Sequence, residues 1–153
     1  MQLEKSLYES DFHAWCVDQA DNLKNHKFGE LDWENLREEI ESLGRQWRRE
    51  LISRLKILFV HLLKWELSPS DVREWQKNSW LNSIQCQQKE IPEFILENPS
   101  LKHVLNECIK KAYEDARFDA SLEGRLILQD LPIDCPYSLE DALKKDWLPM
   151  DHY

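Results

Sequence analysis

Four polar residues interrupt a long apolar pattern in the first half of the chain, and they are the candidates for chemistry. They are Glu50, Arg54, His61 and Lys64, and at about 100° per residue they lie in or beside the apolar face of one predicted helix. Histidine acts as an acid or a base near neutral pH, and arginine or lysine holds a phosphate or a carboxylate. One interpretation is therefore a small phosphodiester hydrolase, such as a ribonuclease. The other is structural, with an Arg54–Glu50 ion pair and a core histidine bonded to a neighbouring helix.

A second set of basic residues follows the acidic start of the same predicted helix. Residues 30–41 carry six acids and one base, whereas residues 45–56 carry five bases and one acid. Arg45, Arg48 and Arg49 are candidates for contact with RNA phosphates. Two antiparallel copies would instead bring the acidic block of one copy against the basic block of the other. The charge pattern favours a homo-oligomer or a protein partner over nucleic acid.

Other groups of potential ligands or nucleophiles do not have the spacing of a metal or catalytic site. Two runs of carboxylates are typical of solvated helix faces. These runs are Glu38, Glu39 and Glu41, and Asp115, Asp119 and Glu123. The four cysteines are too far apart for a C-x-x-C motif, and the chain has no glycine-rich phosphate loop and no G-x-S-x-G turn. We therefore expect no metal and no cofactor.

Length and composition predict one all-α domain. The 153 residues suffice for one core but not for two ordinary domains, so we expect a single domain over residues 1–153. The chain has no threonine, only four valines and three glycines, and much leucine, which favours helices over strands. The net charge of -9 and the lack of a long apolar run disfavour nucleic acid and membrane as general partners. The opening residues lack the apolar core of a signal peptide, so the expected location is the cytoplasm.

Apolar spacing and capping residues predict a helical bundle of about four main helices around one long helix, 33–65. That helix runs through Gly44 or consists of two collinear pieces. The expected helices run from Ser10 or Asp11 to 24, from 33 to 65, from 73–79 to about 95 with a bend at Pro92, from 101 to 122 and from 139 to 144. The last of them belongs to a C-terminal tail that should wrap the bundle and return Trp147 to it.

The sequence predicts the burial or exposure of five of the seven tryptophans. Trp15, Trp47, Trp65 and Trp80 fall on the apolar sides of their predicted helices, so we expect them to be largely buried. Trp75 lies before the regular apolar pattern of its helix, and we expect it to be exposed.

Three stretches of sequence resemble a known family. In order, they are Tyr8-x-x-Asp11-Phe12-x-x-Trp15, then Leu31-Asp32-x-x-Asn35-Leu36-x-Glu38-Glu39-Ile40-Glu41-x-Leu43-Gly44, then Ser53-Arg54-Leu55-x-x-Leu58-x-x-His61-Leu62-Leu63-Lys64-Trp65. With shorter matches as far as Leu148-Pro149, they resemble the DUF29 family, which comprises small bacterial helical proteins that are abundant in cyanobacteria. The resemblance implies an all-helical bundle and implies no particular reaction. One departure is Gly124-Arg125, where the family commonly has a small residue, glycine and leucine.

The sequence thus leaves two hypotheses of different classes. The leading one is a helical interaction or structural module that associates with itself, because no motif demands a reaction and the charges of the long helix are separated. The alternative is the phosphodiester hydrolase built on Glu50, Arg54, His61 and Lys64.

Overall fold

The computed structural model describes residues 5–150. In that range it contains six α-helices and no strand, which confirms the all-α prediction. The helices are α1 (Leu7–Ser10), α2 (Phe12–Lys24), α3 (Trp33–Leu67), α4 (Ser70–Glu97), α5 (Leu105–Glu123) and α6 (Leu139–Ala142). None of the helices within 5–150 has an apolar stretch of the length that crossing a lipid bilayer requires.

Helix α3 is continuous over 35 residues and passes through Gly44 without a break. The contacts of the chain divide it into two compact units, and the boundary falls inside this helix, between Gln46 and Trp47. The first unit contains α1, α2 and the start of α3, and the second contains the rest of α3 and the helices after it. A single domain over residues 1–153 stays a prediction.

Aromatic and polar contacts hold the first unit together. Asp11, one of the two residues predicted as a possible cap, caps α2 through its side chain. The indole N–H of the buried Trp15 donates to Asp32 Oδ2 at 3.1 Å, just before α3 begins. The Tyr8 hydroxyl donates to Glu39 Oε1 at 2.6 Å, so α1 is bonded to the second turn of α3. The sequence pattern did not predict α1, which is a single turn.

Leucines from the second half of α3 form the centre of the second unit. This part of the helix buries an apolar face completely, and α4 and α5 supply the facing side chains. The fully buried members include Leu51, Leu55, Leu58, Leu62, Ile84, Ile91, Ala112 and Ala116. The buried residues of α3, α4 and α5 form one cluster, so these three long helices share one apolar core.

Side-chain hydrogen bonds hold the irregular segment after α5 and the C-terminal tail against the helices. Arg117 donates to the carbonyls of Leu128 and Leu131 at 3.2 and 3.0 Å. Further along, Gln88 of α4 donates to the Trp147 carbonyl at 2.8 Å, and the half-buried Trp147 packs against the core. The predicted return of the C-terminal tail to the bundle is therefore confirmed.

Of the five tryptophan predictions, three are confirmed, one is wrong and the one for Trp65 holds in part. Trp15 and Trp80 are buried, and Trp75 is exposed. The prediction for Trp47 is wrong, because its ring rests against Phe94 at 5.6 Å and half of its surface stays open to solvent. Trp65 is only partly buried at the edge of the core.

The apolar stripe of α3 is covered in its second half only. Trp33, Ile40 and Leu43 are 62%, 66% and 57% exposed, whereas the leucines from Leu51 to Leu63 are buried. We call the residues Trp33, Leu36, Ile40 and Leu43 the N-terminal seam. Their periodicity correctly indicated one helix, but it did not indicate whether another element would cover them.

Candidate functional site

Lys64 is a nearly buried cation in the last two turns of α3. Only 6% of its side chain is exposed. Its ammonium lies 2.7 Å from Glu123 Oε2 at the end of α5 and 5.2 Å from the ring centroid of Trp80 in α4. A buried charge is expensive unless it is paired, and here a carboxylate and the face of an indole both stabilise it. Three helices therefore hold this ammonium in one place.

Gly124 makes room for the stem of Lys64. A Cβ atom at this position would lie 3.0 Å from Lys64 Cγ and 2.9 Å from the Ala120 carbonyl oxygen. The φ of Gly124 is -92°, which any residue adopts, so close approach explains the glycine and conformational freedom does not. The glycine thereby allows Lys64 to pass the end of α5 and reach Glu123.

His61 lies one turn before Lys64 and is half-buried. Its Nδ1 lies 2.7 Å from the Ile57 carbonyl oxygen, which only accepts hydrogen bonds, so Nδ1 carries the proton. Burial lowers the pKa of His61, and the charge of Lys64 adds to this effect, while the bond to Ile57 and the charge of Glu123 oppose it. The neutral imidazole therefore presents Nε2 as a proton acceptor.

A pocket of about 550 Å³ opens beside these residues, between α3, the start of α4 and the end of α5. His61 and Lys64 line it from α3, Trp75 and Trp80 from α4, and Glu123 and Arg125 from the end of α5 and the loop that follows. Its size falls within the roughly 300–1,000 Å³ of small-molecule sites. The pocket is thus lined by cations, carboxylates and two indole rings.

Arg54 and Glu50 lie apart from this pocket. Arg54 Nε is 2.8 Å from Glu50 Oε1, and Arg54 Nη1 is 2.5 Å from Glu90 Oε2 in α4. Its guanidinium also lies 5.3 Å from the ring centroid of Phe94. The four candidates therefore separate into an Arg54–Glu50 pair and a His61–Lys64 pair.

The positions of these residues test the two contacts that the structural interpretation predicts. The predicted Arg54–Glu50 pair is confirmed, but the predicted bond of His61 to a neighbouring helix is wrong, since its partner Ile57 belongs to α3 itself. Arg54 and Lys64 are ten residues apart, which is about 15 Å along a helix axis. Their carboxylate partners also lie on different helices, since Arg54 pairs with Glu90 of α4 and Lys64 pairs with Glu123 of α5.

The candidate RNA-binding arginines are mostly engaged within the chain. Arg48 lies 2.6 Å from Glu107, and Arg45 lies 3.8 Å from Glu41. Lys56, in the same basic block, lies 2.9 Å from Asp119. Arg49 is exposed. None of the three arginines lines the pocket of His61 and Lys64.

Most residues of the pocket, among them Trp75, Glu123 and Arg125, have no functional role in the sequence interpretation. The sequence predicts only that Trp75 is exposed, it places Glu123 in a solvated carboxylate stripe, and it marks Arg125 only as a departure from a family pattern. Glu123 pairs with Lys64 across 59 residues of sequence, so no local spacing signals the contact. Within residues 5–150, no three His, Cys, Asp or Glu side chains converge as a metal site requires.

Comparison with known proteins supplies the family of the chain. No curated protein and no solved structure matches it. The family model described as "Domain of unknown function DUF29" matches residues 7–148, which is nearly the whole chain. The match spans all six helices, from the first residue of α1 to beyond the end of α6. The chain therefore belongs to the DUF29 family.

Proposed function

We propose that this protein is a helical interaction module that associates with a second copy through the N-terminal seam of α3. The observation that carries the proposal is the exposure of Trp33, Ile40 and Leu43 on one side of a continuous helix. The seam positions follow each other at intervals of three, four and three residues, which is the spacing of a two-helix packing seam. Exposed apolar residues in such a row are typical of interaction surfaces.

The size of the seam favours a weak, reversible pair. Burying a large apolar side chain contributes about 1.5–3 kcal/mol, and these three side chains are already partly covered, so each copy gains about 3–5 kcal/mol. Two copies together gain about 6–10 kcal/mol, against an association cost of at least about 4 kcal/mol. The upper half of the resulting range, a net gain of about 4–6 kcal/mol, corresponds to a dissociation constant between about 40 μM and about 1 mM, which is the range that we expect.

Apolar contact is a better driving force for this pairing than charge. The sequence suggested that acidic and basic blocks of α3 attract each other between copies. In the folded chain, however, Arg48 and Lys56 already pair with Glu107 and Asp119 of α5, and Arg54 pairs with Glu50 and Glu90. Because few of these bases are left for a partner, we expect the association to depend little on salt.

Sedimentation velocity over a range of concentrations tests the proposal. The wild type should form dimers reversibly, and Ile40→Lys should be monomeric because it places a charge in the centre of the seam. Leu96→Lys is the matched control, since Leu96 is a similarly exposed apolar residue of α4 outside the seam, and it should behave like the wild type. A wild-type chain that stays monomeric up to millimolar concentration would refute the proposal.

A phosphodiester hydrolase is the second candidate, and one observation favours it. His61 presents a proton-accepting Nε2 beside a pocket that also contains Lys64 and Arg125. In such a reaction His61 would act as the base and the two cations would stabilise charge on the phosphate. Wild-type protein should then degrade RNA, and His61→Ala should abolish the activity without unfolding the chain. Intact RNA after incubation with nuclease-free wild type excludes this candidate.

A further inference from the structure

We propose that the pocket lined by His61, Lys64, Trp75 and Arg125 binds a small ligand in which a planar ring is joined to a single anionic group. The ring would lie against Trp75, and the anionic group would bind Arg125, with Lys64 behind it. The proposal concerns binding alone. It depends neither on the self-association of α3 nor on cleavage of a phosphodiester.

The exposed side chain of Trp75 indicates that the ligand contains a planar ring. Its side chain lines the pocket and is 90% exposed, more than any other large apolar side chain in residues 5–150. An indole that packs on almost nothing contributes little to stability, but its open face is a platform on which a planar ring stacks. Ser79 follows one helical turn later on the same wall of the pocket and offers a hydroxyl at its edge. This wall can therefore both stack on a ring and hydrogen-bond to its substituents.

The guanidinium of Arg125 indicates that the ligand carries an anionic group. No carboxylate of residues 5–150 forms an ion pair with it, although most arginines of α3 are paired. Its φ of 55° is the left-handed conformation that is common just after the end of a helix, and the Leu126 N–H donates to the Ser121 carbonyl at 3.3 Å, as in a Schellman motif. The end of α5 thus fixes the backbone from which Arg125 lines the pocket. A guanidinium in that position is suited to bind a phosphate or carboxylate through two parallel hydrogen bonds.

The charges of the pocket limit the ligand to one anionic group. Lys64 and Arg125 are balanced by Asp71 and Glu123, which also line the pocket. Lys64 is already neutralised by Glu123 at 2.7 Å, so Arg125 is the cation that remains for a ligand. A chain of phosphates would approach the two carboxylates and be repelled. A nucleoside monophosphate has the required ring and a compact anionic group, and it fits a volume of about 550 Å³.

Calorimetric titration of the full chain tests the proposal with four probes. Adenosine monophosphate should bind, adenosine and inorganic phosphate should each bind about tenfold more weakly or not at all, and adenosine triphosphate should bind no more tightly than the monophosphate. If phosphate alone binds as tightly as the monophosphate, or if the triphosphate binds more tightly, the ring or the charge argument is wrong. An RNA oligonucleotide that binds when the monophosphate does not would also overturn the proposal.

Two variants and their controls locate the binding. Trp75→Ala and Arg125→Gly should each weaken binding of the monophosphate about tenfold or more. Both residues are exposed, and glycine accepts the φ of Arg125, so the thermal unfolding midpoint should not fall. Phe118→Ala and Arg49→Gln change an exposed aromatic residue and an exposed arginine outside the pocket and should leave binding unchanged. Equal binding by wild type and Trp75→Ala would overturn the proposal.

Discussion

Replacing Gly124 with alanine tests the packing that positions Lys64. The new Cβ would lie 2.9 Å from the Ala120 carbonyl oxygen, 3.0 Å from Lys64 Cγ and 3.2 Å from Leu126 Cγ. Favourable contacts between carbon atoms begin near 3.5 Å, so all three neighbours would have to move. The Ala120 carbonyl accepts the Gly124 N–H at 2.8 Å and closes the last turn of α5, so it cannot retreat without opening that turn. The side chain of Lys64 would have to shift instead.

The expected cost follows from two opposing effects. Overpacking of a close contact destabilises a protein by about 1–3 kcal/mol. Replacing glycine also reduces the entropy of the unfolded chain, which stabilises by about 0.4–1 kcal/mol when the backbone conformation suits alanine, as a φ of -92° does. We therefore expect Gly124→Ala to lower the free energy of unfolding by about 0.5–2 kcal/mol.

Urea denaturation followed by far-ultraviolet circular dichroism measures this change. Gly44→Ala is the matched control, because Gly44 lies in the interior of α3 and a Cβ at that position would meet no neighbouring atom within 4 Å. Alanine is a better helix former than glycine by about 1 kcal/mol, so this variant should be more stable than the wild type. A Gly124→Ala chain as stable as the wild type would show that Lys64 is not packed against residue 124.

Three further predictions concern single side chains. Trp80→Ala should lower stability by about 3–5 kcal/mol because it empties a buried site, whereas Trp75→Ala should change it by less than about 0.5 kcal/mol; equal urea midpoints for the two variants would contradict the burial assigned to them. Tyr137→Phe removes a hydroxyl that donates to Glu66 at 2.6 Å, so we expect a loss of about 1–2 kcal/mol in the same assay, and an unchanged midpoint would mean that water replaces the bond. The pKa of His61 lies below its ordinary value in the folded chain, so the unfolded chain binds the proton first, and His61 should destabilise the fold as the pH falls below about 6.5. His61→Asn should therefore lose less stability than the wild type between about pH 7 and pH 5 in parallel urea titrations, and identical losses would contradict the pKa shift.

Helix positions were readable from the sequence because they depend on neighbouring residues. A backbone hydrogen bond joins residues four apart, and an apolar face repeats over the same distance. The predicted helix at 33–65 therefore differs from α3 by two residues at its end, and the cap of α2 was narrowed to Ser10 or Asp11, of which Asp11 is the cap. The start of α4 was placed too late, because its first turns carry the exposed Trp75 and no apolar repeat marks them.

The sequence did not predict which parts of those helices are buried by other helices. Trp33 and Leu51 belong to one apolar pattern, yet one is exposed and the other is fully buried. The difference arises because α4 and α5 pack against the second half of α3, and sequence periodicity does not say where another helix lies. Trp47 illustrates the same limit, since a single ring, Phe94, covers one side of it.

What the sequence determined by itself was local: an all-α chain, the extent of α3, and a histidine and cations that an apolar helix face does not need. Tertiary structure alone decided which of them meet. Arg54 pairs with Glu90 in α4, 36 residues away in sequence, and Lys64 pairs with Glu123 in α5, 59 residues away. A buried charge must find an opposite charge or a polarisable face to offset its lost hydration, and only the folded chain determines which partner is within reach. The pocket with Trp75 and Arg125 lies beside the second of these pairings.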